Sequence, residues 1–193
     1  MIIGKQIEGM ELEAYLPEKG TIEKFNVADY KEKWLVVLFY PADFTFVCPT
    51  ELADLASIHP ELEEMGAEVV SVSTDTAFVH KAWRDSESLL ENVNYPMVSD
   101  PLGKLSRQFE VFDDSTGLAL RGAFIIDPNG IVKSVDINLY DVGRNMTETL
   151  RRLKAFKHVE AHPGVVCPAR WDEGSKVINV SLDLIGKVGE HLK

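Results

Sequence analysis

The chain has 193 residues, 45% of them hydrophobic and 26% charged, enough for one globular domain, or a domain with an extension, that buries a core without disulfide staples. Lys and Arg total 20 against 31 Asp and Glu, a formal net charge of −11. That balance argues against nucleic acid or an anionic membrane as the main partner, so a site that needs positive potential has to build it locally.

The first residues, MIIGKQIEGMELEAYLPEKG, lack a basic head followed by an apolar run, and no segment approaches the ~18 apolar residues of a membrane span. The expected location is therefore cytoplasmic, and the sequons at Asn145 and Asn179 are chance matches. Trp34 to Tyr40 is a continuous apolar run of strand length, as in a central strand covered on both faces, and Pro41 ends it. Pro49 to Met65 carries Leu52, Leu55, Ala56, Ile58 and Leu62 at helical spacing, with a kink or break expected at Pro60. Ala67 to Thr74 reads as a second strand and Ala77 to Val93 as a second helix. Leu118 to Ile126 and Gly130 to Ile137 read as an antiparallel pair turning at Asp127-Pro128-Asn129-Gly130, and Asn145 to Val159 as a further helix. The order of strands and helices predicts an α/β fold with a mixed sheet. Periodicity fails after His162, so residues 1–162 are expected to form the domain and 163–193 a loosely organised C-terminal arm.

Two cysteines stand out, because a permanent structural disulfide is not expected in a reducing cytosol. Cys48 lies in FYPADFTFVCPTEL, where a buried strand gives way to a helix, and Pro49 favours the first helical turn. Either Thr45 caps that helix and Cys48 falls in its first turn, or Cys48 is itself the cap and Glu51 completes a capping box. In both cases the sulfur faces the positive end of a helix dipole. Turning an ordinary thiol into one mostly ionised at pH 7 takes roughly 3.4 kcal/mol, and a helix end supplies about 0.3–2 kcal/mol. A nearby cation has to supply the difference, and an arginine from elsewhere in the chain is the best candidate. Cys167 lies in HPGVVCPARWDEG, an irregular segment in which an accessible thiol is expected. Such a pair, one thiol activated and the other able to reach it, suits redox chemistry; the alternative is two buried, inert thiols.

Competing motifs fail. There is no C-x-x-C, and a phosphatase-type Cys-x5-Arg would need Arg where Asp54 stands. His158 and His162 in HVEAH do not form H-E-x-x-H, and neither a dinucleotide nor a triphosphate fingerprint occurs. No motif places a histidine for a cysteine hydrolase.

The segment P-A-D-F-T-F-V-C-P from Pro41 to Pro49 resembles the peroxiredoxin signature P-x-x-x-T-x-x-C, and V-C-P-A around Cys167 resembles the resolving-cysteine site of typical two-cysteine peroxiredoxins. S-D-P at Ser99, R-G-A-F-I-I-D-P-N-G from Arg121, G-R-N-M-T-E-T-L-R from Gly143 and S-L-D-L-I-G-K from Ser181 extend the resemblance over nearly the whole chain. With H-P-G-V-V-C-P-A-R-W, they are similar to the bacterial alkyl hydroperoxide reductase C-subunit branch. The resemblance implies a thioredoxin-like fold with an N-terminal extension, and reduction of hydrogen peroxide and small alkyl hydroperoxides without metal or prosthetic group. It implies Cys48 as the peroxidatic thiol, Arg121 as the active-site arginine, Arg144 as a second, supporting arginine, Glu51 as the holder of that network, and Thr45 and Pro41 as the rest of the pocket. It further implies a homodimer in which Cys167 resolves the partner subunit's sulfenic acid, assembly into a ring of five dimers, and recycling by a flavoprotein disulfide reductase or a thioredoxin. A peroxide sensor or holdase chaperone on the same scaffold is the alternative. Oxidation-sensitive relatives carry a G-G-L-G insertion and a Tyr-Phe C-terminal element; E-N-V-N-Y-P-M and the ending V-G-E-H-L-K replace them here, which implies resistance to over-oxidation.

Overall fold

The structure, a computed structural model, describes residues 1–192. The chain divides into two compact units, Met1–Met146 and Thr147–Lys193. The strands and helices, in chain order, are β1 (Glu11–Leu16), β2 (Thr21–Asn26), β3 (Trp34–Phe39), α1 (Cys48–Glu64), β4 (Ala67–Ser73), α2 (Ala77–Ser86), β5 (Met97–Ser99), α3 (Lys104–Gln108), β6 (Phe112–Asp113), β7 (Leu118–Ala119), β8 (Arg121–Ile126) and β9 (Val132–Asn138), followed by α4 (Met146–Ala161) and, in the second unit, β10 (Val165–Val166), β11 (Ile178–Asn179) and α5 (Val188–His191). Among the described residues no helix is long and apolar enough to cross a membrane.

The first unit is built on a seven-stranded sheet in the order β2-β1-β5-β4-β3-β8-β9. β3 sits inside it, parallel to β4 and antiparallel to β8, and its six residues WLVVLF are all buried. Alternation along β3 sends Leu35, Val37 and Phe39 into one apolar cluster with Val70, Val72, Val98, Phe124 and Ile126. Within it the rings of Phe39, Phe109 and Phe124 lie 4.8–5.6 Å apart. α1 packs against β4 and buries Leu52, Leu55 and Leu62. The sheet is therefore mixed and flanked by helices, as the order of elements predicted.

Several local expectations are corrected. α1 runs through Pro60 without a break, since proline removes one hydrogen bond but the buried leucines on both sides hold the helix. The helix expected over Ala77–Val93 ends at Ser86, because Glu87 turns extended (φ −96°, ψ 114°) and its carboxylate caps a separate 3-10 turn at Ser88–Leu90. The strand expected over Leu118–Ile126 is two strands. Leu118 and Ala119 pair with β6, Leu120 donates its amide to the Val111 carbonyl, and only from Arg121 does the chain join the main sheet. The N-terminal extension is a hairpin, β1 with β2, joined to the sheet through β5.

In the second unit, β10 pairs with β11 around a buried Trp171. Trp171 receives a hydrogen bond from Arg151 on its carbonyl and the His158 ring at 5.0 Å. His158 and His162 stack on each other at 4.2 Å.

Candidate active site

The antiparallel register pairs Phe39, the last residue of β3, with Gly122. Arg121 therefore lies at the end of the sheet from which the chain leaves toward Cys48. That chain, residues 40–47, starts with a fully buried Tyr40 and a buried Pro41, and delivers Cys48 to the first position of α1. The cap position belongs to Val47, in helical conformation (φ −85°, ψ −35°) and with no capping side chain. Both capping expectations are thus corrected. The Thr45 hydroxyl donates instead to the Ala42 carbonyl at 2.7 Å, and Glu51 is engaged elsewhere. α1 starts without a side-chain cap: Pro49 has no amide hydrogen, the Thr50 and Glu51 amides donate to the Val47 carbonyl, and Cys48 at the helix start is 0% exposed.

Arg121, 4% exposed, aims its Nη1 at the Cys48 Sγ, 3.4 Å away. The same nitrogen donates to Glu51 Oε2 at 2.7 Å, and Nε donates to the Tyr140 carbonyl at 2.8 Å. Arg144 donates to the same carboxylate three times, from its backbone amide at 2.9 Å and Nε at 2.8 Å to Oε1 and from Nη2 at 3.0 Å to Oε2. Glu51 thereby accepts four hydrogens, which is close to the capacity of a carboxylate. Gly143 eases the close approach, since a Cβ there would sit 3.2 Å from Val47 Cγ1 and that side chain would have to give by a few tenths of an ångström. Asp54 accepts the Met146 amide at 2.8 Å and so fixes the segment just after Arg144 to α1.

Charge counting shows what this cluster does. Two guanidinium groups and one carboxylate leave one buried positive charge uncompensated beside the sulfur, in a chain of net charge −11. A thiolate neutralises it, whereas without one the site holds an unpaired buried cation, which is costly. Burial works against the Arg121 charge, but the hydrogen bond and charge of Cys48, together with those of Glu51, outweigh it and push the guanidinium further toward its protonated form. Burial likewise works against the Glu51 carboxylate, and hydrogen bonds and charge from Arg144, with the charge of Arg121, outweigh it and hold the acid below its usual range.

The folded state therefore binds the Glu51 proton more weakly than the unfolded chain does, so this contribution is complete above the ordinary carboxylate value of 4.5 and drains as pH falls below it. Urea midpoints recorded from about pH 6 down to about pH 3 should fall more steeply for the parent than for Glu51→Gln, which has no such proton to bind. Parallel curves would place the acid-labile group elsewhere.

The structure brings Cys48, Arg121, Glu51 and Arg144 into direct contact. Pro41 and Thr45 lie in the connecting loop, and the Thr45 hydroxyl hydrogen is turned toward Ala42. Cys167 belongs to the second unit, half-buried, its thiol directed at the Ala155 carbonyl at 3.8 Å; burial raises its pKa and Arg151 opposes that. Both thiols are free. Tyr140, Gly143 and Asp54 were not singled out from the sequence, because two of them act through backbone and the third through an amide cap, which leave no pattern of residue types.

Comparison with known proteins places this arrangement. The sequence model of the AhpC/TSA family matches residues 3–135, and that of the C-terminal domain of 1-Cys peroxiredoxin matches 155–190, a stretch that here includes Cys167. The alkyl hydroperoxide reductase C of Staphylococcus epidermidis is 47% identical over 97% of this chain and 99% of its own, and that of Staphylococcus aureus is 46% identical over the same shares. Among solved structures, Enterococcus faecalis AhpC superposes with a TM-score of 0.82 at 42% identity, covering 86% of this chain and 99% of that one. The reduced 2-Cys peroxiredoxin of Plasmodium vivax gives a TM-score of 0.86 at 30% identity, covering 92% of each. With this fold, thioredoxin-like as in those neighbours, and a thiol buried against a guanidinium at the mouth of a helix, the chain belongs to the AhpC/TSA family and is a peroxiredoxin, a thiol-dependent peroxidase.

Proposed function

We propose that the Cys48 thiolate reduces hydrogen peroxide and small alkyl hydroperoxides, and that Cys167 of a second subunit closes the cycle. The observation that carries this reading is the 3.4 Å contact from Arg121 Nη1 to the Cys48 sulfur, inside a cluster short of one negative charge. The thiolate attacks one peroxide oxygen along the O–O axis. The S–O bond forms as the O–O bond breaks, and the leaving oxygen departs as water or alcohol once protonated. Arg121 and the Cys48 backbone amide at the start of α1 favour the negative charge that spreads over the two oxygens. The Thr45 hydroxyl, having given its hydrogen to Ala42, offers lone pairs to the peroxide O–H. Pro41 shields the sulfenic acid, and Glu51 and Arg144 hold Arg121 in place.

The sulfenic acid then condenses with Cys167, delivered by residues 163–193, releasing water and leaving a Cys48–Cys167 disulfide. Cys48 starts a helix, so its first turn has to unwind for the two sulfurs to meet. A dithiol protein, either a flavoprotein disulfide reductase or a thioredoxin, returns both cysteines to thiols. The homologues' names, alkyl hydroperoxide reductase C and 2-Cys peroxiredoxin, support this cycle over a sensor or holdase role. A homodimer, further gathered into a ring of five dimers, is the assembly this reading calls for.

Cys167→Ser separates the two half-reactions. In rapid mixing it should oxidise once per subunit at the parent's rate, then fail to turn over with the reductant protein. Oxidised parent should run on non-reducing gels as a covalent dimer and Cys167→Ser as a monomer. A monomeric band for fully oxidised parent, or full turnover by the variant, would remove Cys167 from the cycle.

A further inference from the structure

The buried polar groups that this chemistry leaves unused gather behind the loop that carries Cys48. Tyr40, Asp43 and His80 have fully buried side chains. Tyr40 donates its hydroxyl hydrogen to Asp43 Oδ1 at 2.7 Å. His80, on α2, meets Asp43 Oδ2 through Nδ1 at 2.7 Å and the Val98 carbonyl of β5 through Nε2 at 3.1 Å. A carbonyl only accepts, so Nε2 carries a hydrogen. One further hydrogen lies in the contact between Asp43 and Nδ1, and while it is there the pair is neutral overall, whichever atom holds it. Without it a carboxylate would face a bare nitrogen lone pair, and the contact would repel. Burial raises the Asp43 acid toward its protonated form, and the hydrogen bonds of His80 and Tyr40 oppose that.

The same residue is pinned through its backbone, for the Asp43 amide donates to Asp75 Oδ2 at 2.8 Å, an oxygen that also receives the Ser73 hydroxyl at 3.0 Å. Its neighbour is under strain. Phe44 has φ 54°, a left-handed conformation that costs an aromatic residue energy, and it is 59% exposed. A strained residue next to a triple anchor makes a loop that opens readily once the anchor yields.

We propose that Asp43 and His80 are positioning residues of the peroxidase reaction, forming a shared-proton latch that holds residues 41–47 and the first turn of α1 closed. Neither touches Cys48. The latch sets the partition between attack on peroxide, which needs the closed turn, and disulfide formation, which needs it open. It rests on the peroxidase cycle proposed above and assigns these residues a part in it.

Rapid mixing of the full-length chain with hydrogen peroxide, in the presence of Cys167, measures both steps. In His80→Ala, oxidation of Cys48 should slow roughly tenfold while disulfide formation speeds up by about threefold or more, opposite signs that follow from a shift in closed population. Asp43→Leu should behave the same way. Asp43→Asn should restore both constants to within about threefold of the parent, since its amide donates a fixed hydrogen to a neutral Nδ1 and its oxygen still accepts from Tyr40. Tyr40, just after β3, and Asp75, in the turn after β4, are the titratable groups facing the pair, and β5 offers a neutral carbonyl.

Rate constants that fall together, or stay level while stability drops, would make the pair purely structural and overturn the proposal. Should His80→Ala fail to fold, Asp43→Leu against Asp43→Asn decides alone, and an Asp43→Asn chain that does not recover both constants overturns it. A parent that consumes no peroxide at all would instead count against the peroxidase reading.

Discussion

A Cys48→Ser chain is expected to consume peroxide no faster than the uncatalysed background, and to fold with a loss of about 1–3 kcal/mol, since its hydroxyl cannot neutralise the positive charge left over in the cluster. The substitution changes one atom in a pocket that is otherwise complete. Arg121 Nη1 still finds Glu51 at 2.7 Å and an oxygen in place of the sulfur, so packing and the ion pair with Glu51 survive, while the one positive charge that a thiolate would neutralise is left over. What disappears is the nucleophile, because a serine hydroxyl with no adjacent general base stays un-ionised at neutral pH. Arg121→Leu makes the informative contrast. It keeps the sulfur but removes the charge facing the developing oxyanion, and Cys48 oxidation should slow by about 10²–10³-fold rather than vanish. Stopped-flow peroxide consumption reads both variants. Rapid, stoichiometric oxidation of Cys48→Ser at any other residue would overturn the assignment of the reacting sulfur.

Glu51→Ala should be the most damaging change to the protein itself. It strips four hydrogen bonds at once and strands two guanidinium groups that are almost fully enclosed. Removing one partner of a buried ion pair costs about 3–5 kcal/mol, and here one carboxylate serves two cations. Urea unfolding should show a loss in or above that range, and any folded fraction should oxidise about 10²-fold more slowly, since Arg121 would be held only by the Tyr140 carbonyl and the reacting sulfur itself. Glu51→Gln keeps the shape and one acceptor oxygen, but sets an amide NH2 against guanidinium hydrogens. It should fall between parent and Ala in both measurements. A Glu51→Ala chain as stable as the parent would mean that the two arginines find other partners and that the charge count is wrong.

Much of this arrangement was legible in the residues. The run WLVVLF admits hardly any reading but a central strand, and the loss of apolar character at Pro41 followed by Pro49 marks a strand-to-helix passage. The energetic shortfall at a helix-start thiol called for an arginine, and an arginine inside the apolar strand Arg121–Ile126 is the one that arrives. What stayed hidden shares a cause. Glu51 three residues after Cys48 is equally a capping box and a partner for distant cations; only the β3–β8 register, which no local pattern encodes, tells them apart. Thr45 looked like a cap because its residue type favours caps, but tertiary placement sent its hydroxyl to Ala42. The β1–β2 hairpin is not legible because Glu11, Glu13, Thr21, Glu23 and Lys24 interrupt its apolar residues, so neither strand forms a continuous apolar run like WLVVLF. Asp43 stood in plain view within the signature segment, yet its partner His80 lies in another helix and nothing in the spacing joins them.

The sulfur of Cys48 has no surface open to solvent. Such seclusion sorts reagents by girth, since a slim oxidant needs only a slight parting of the loop to reach the sulfur, whereas a bulky disulfide or alkylating agent must wait for the turn to unfurl. Selectivity for the smallest electrophiles in a thiol-rich milieu can thus arise from fit alone, before any preference in chemical reactivity comes into play.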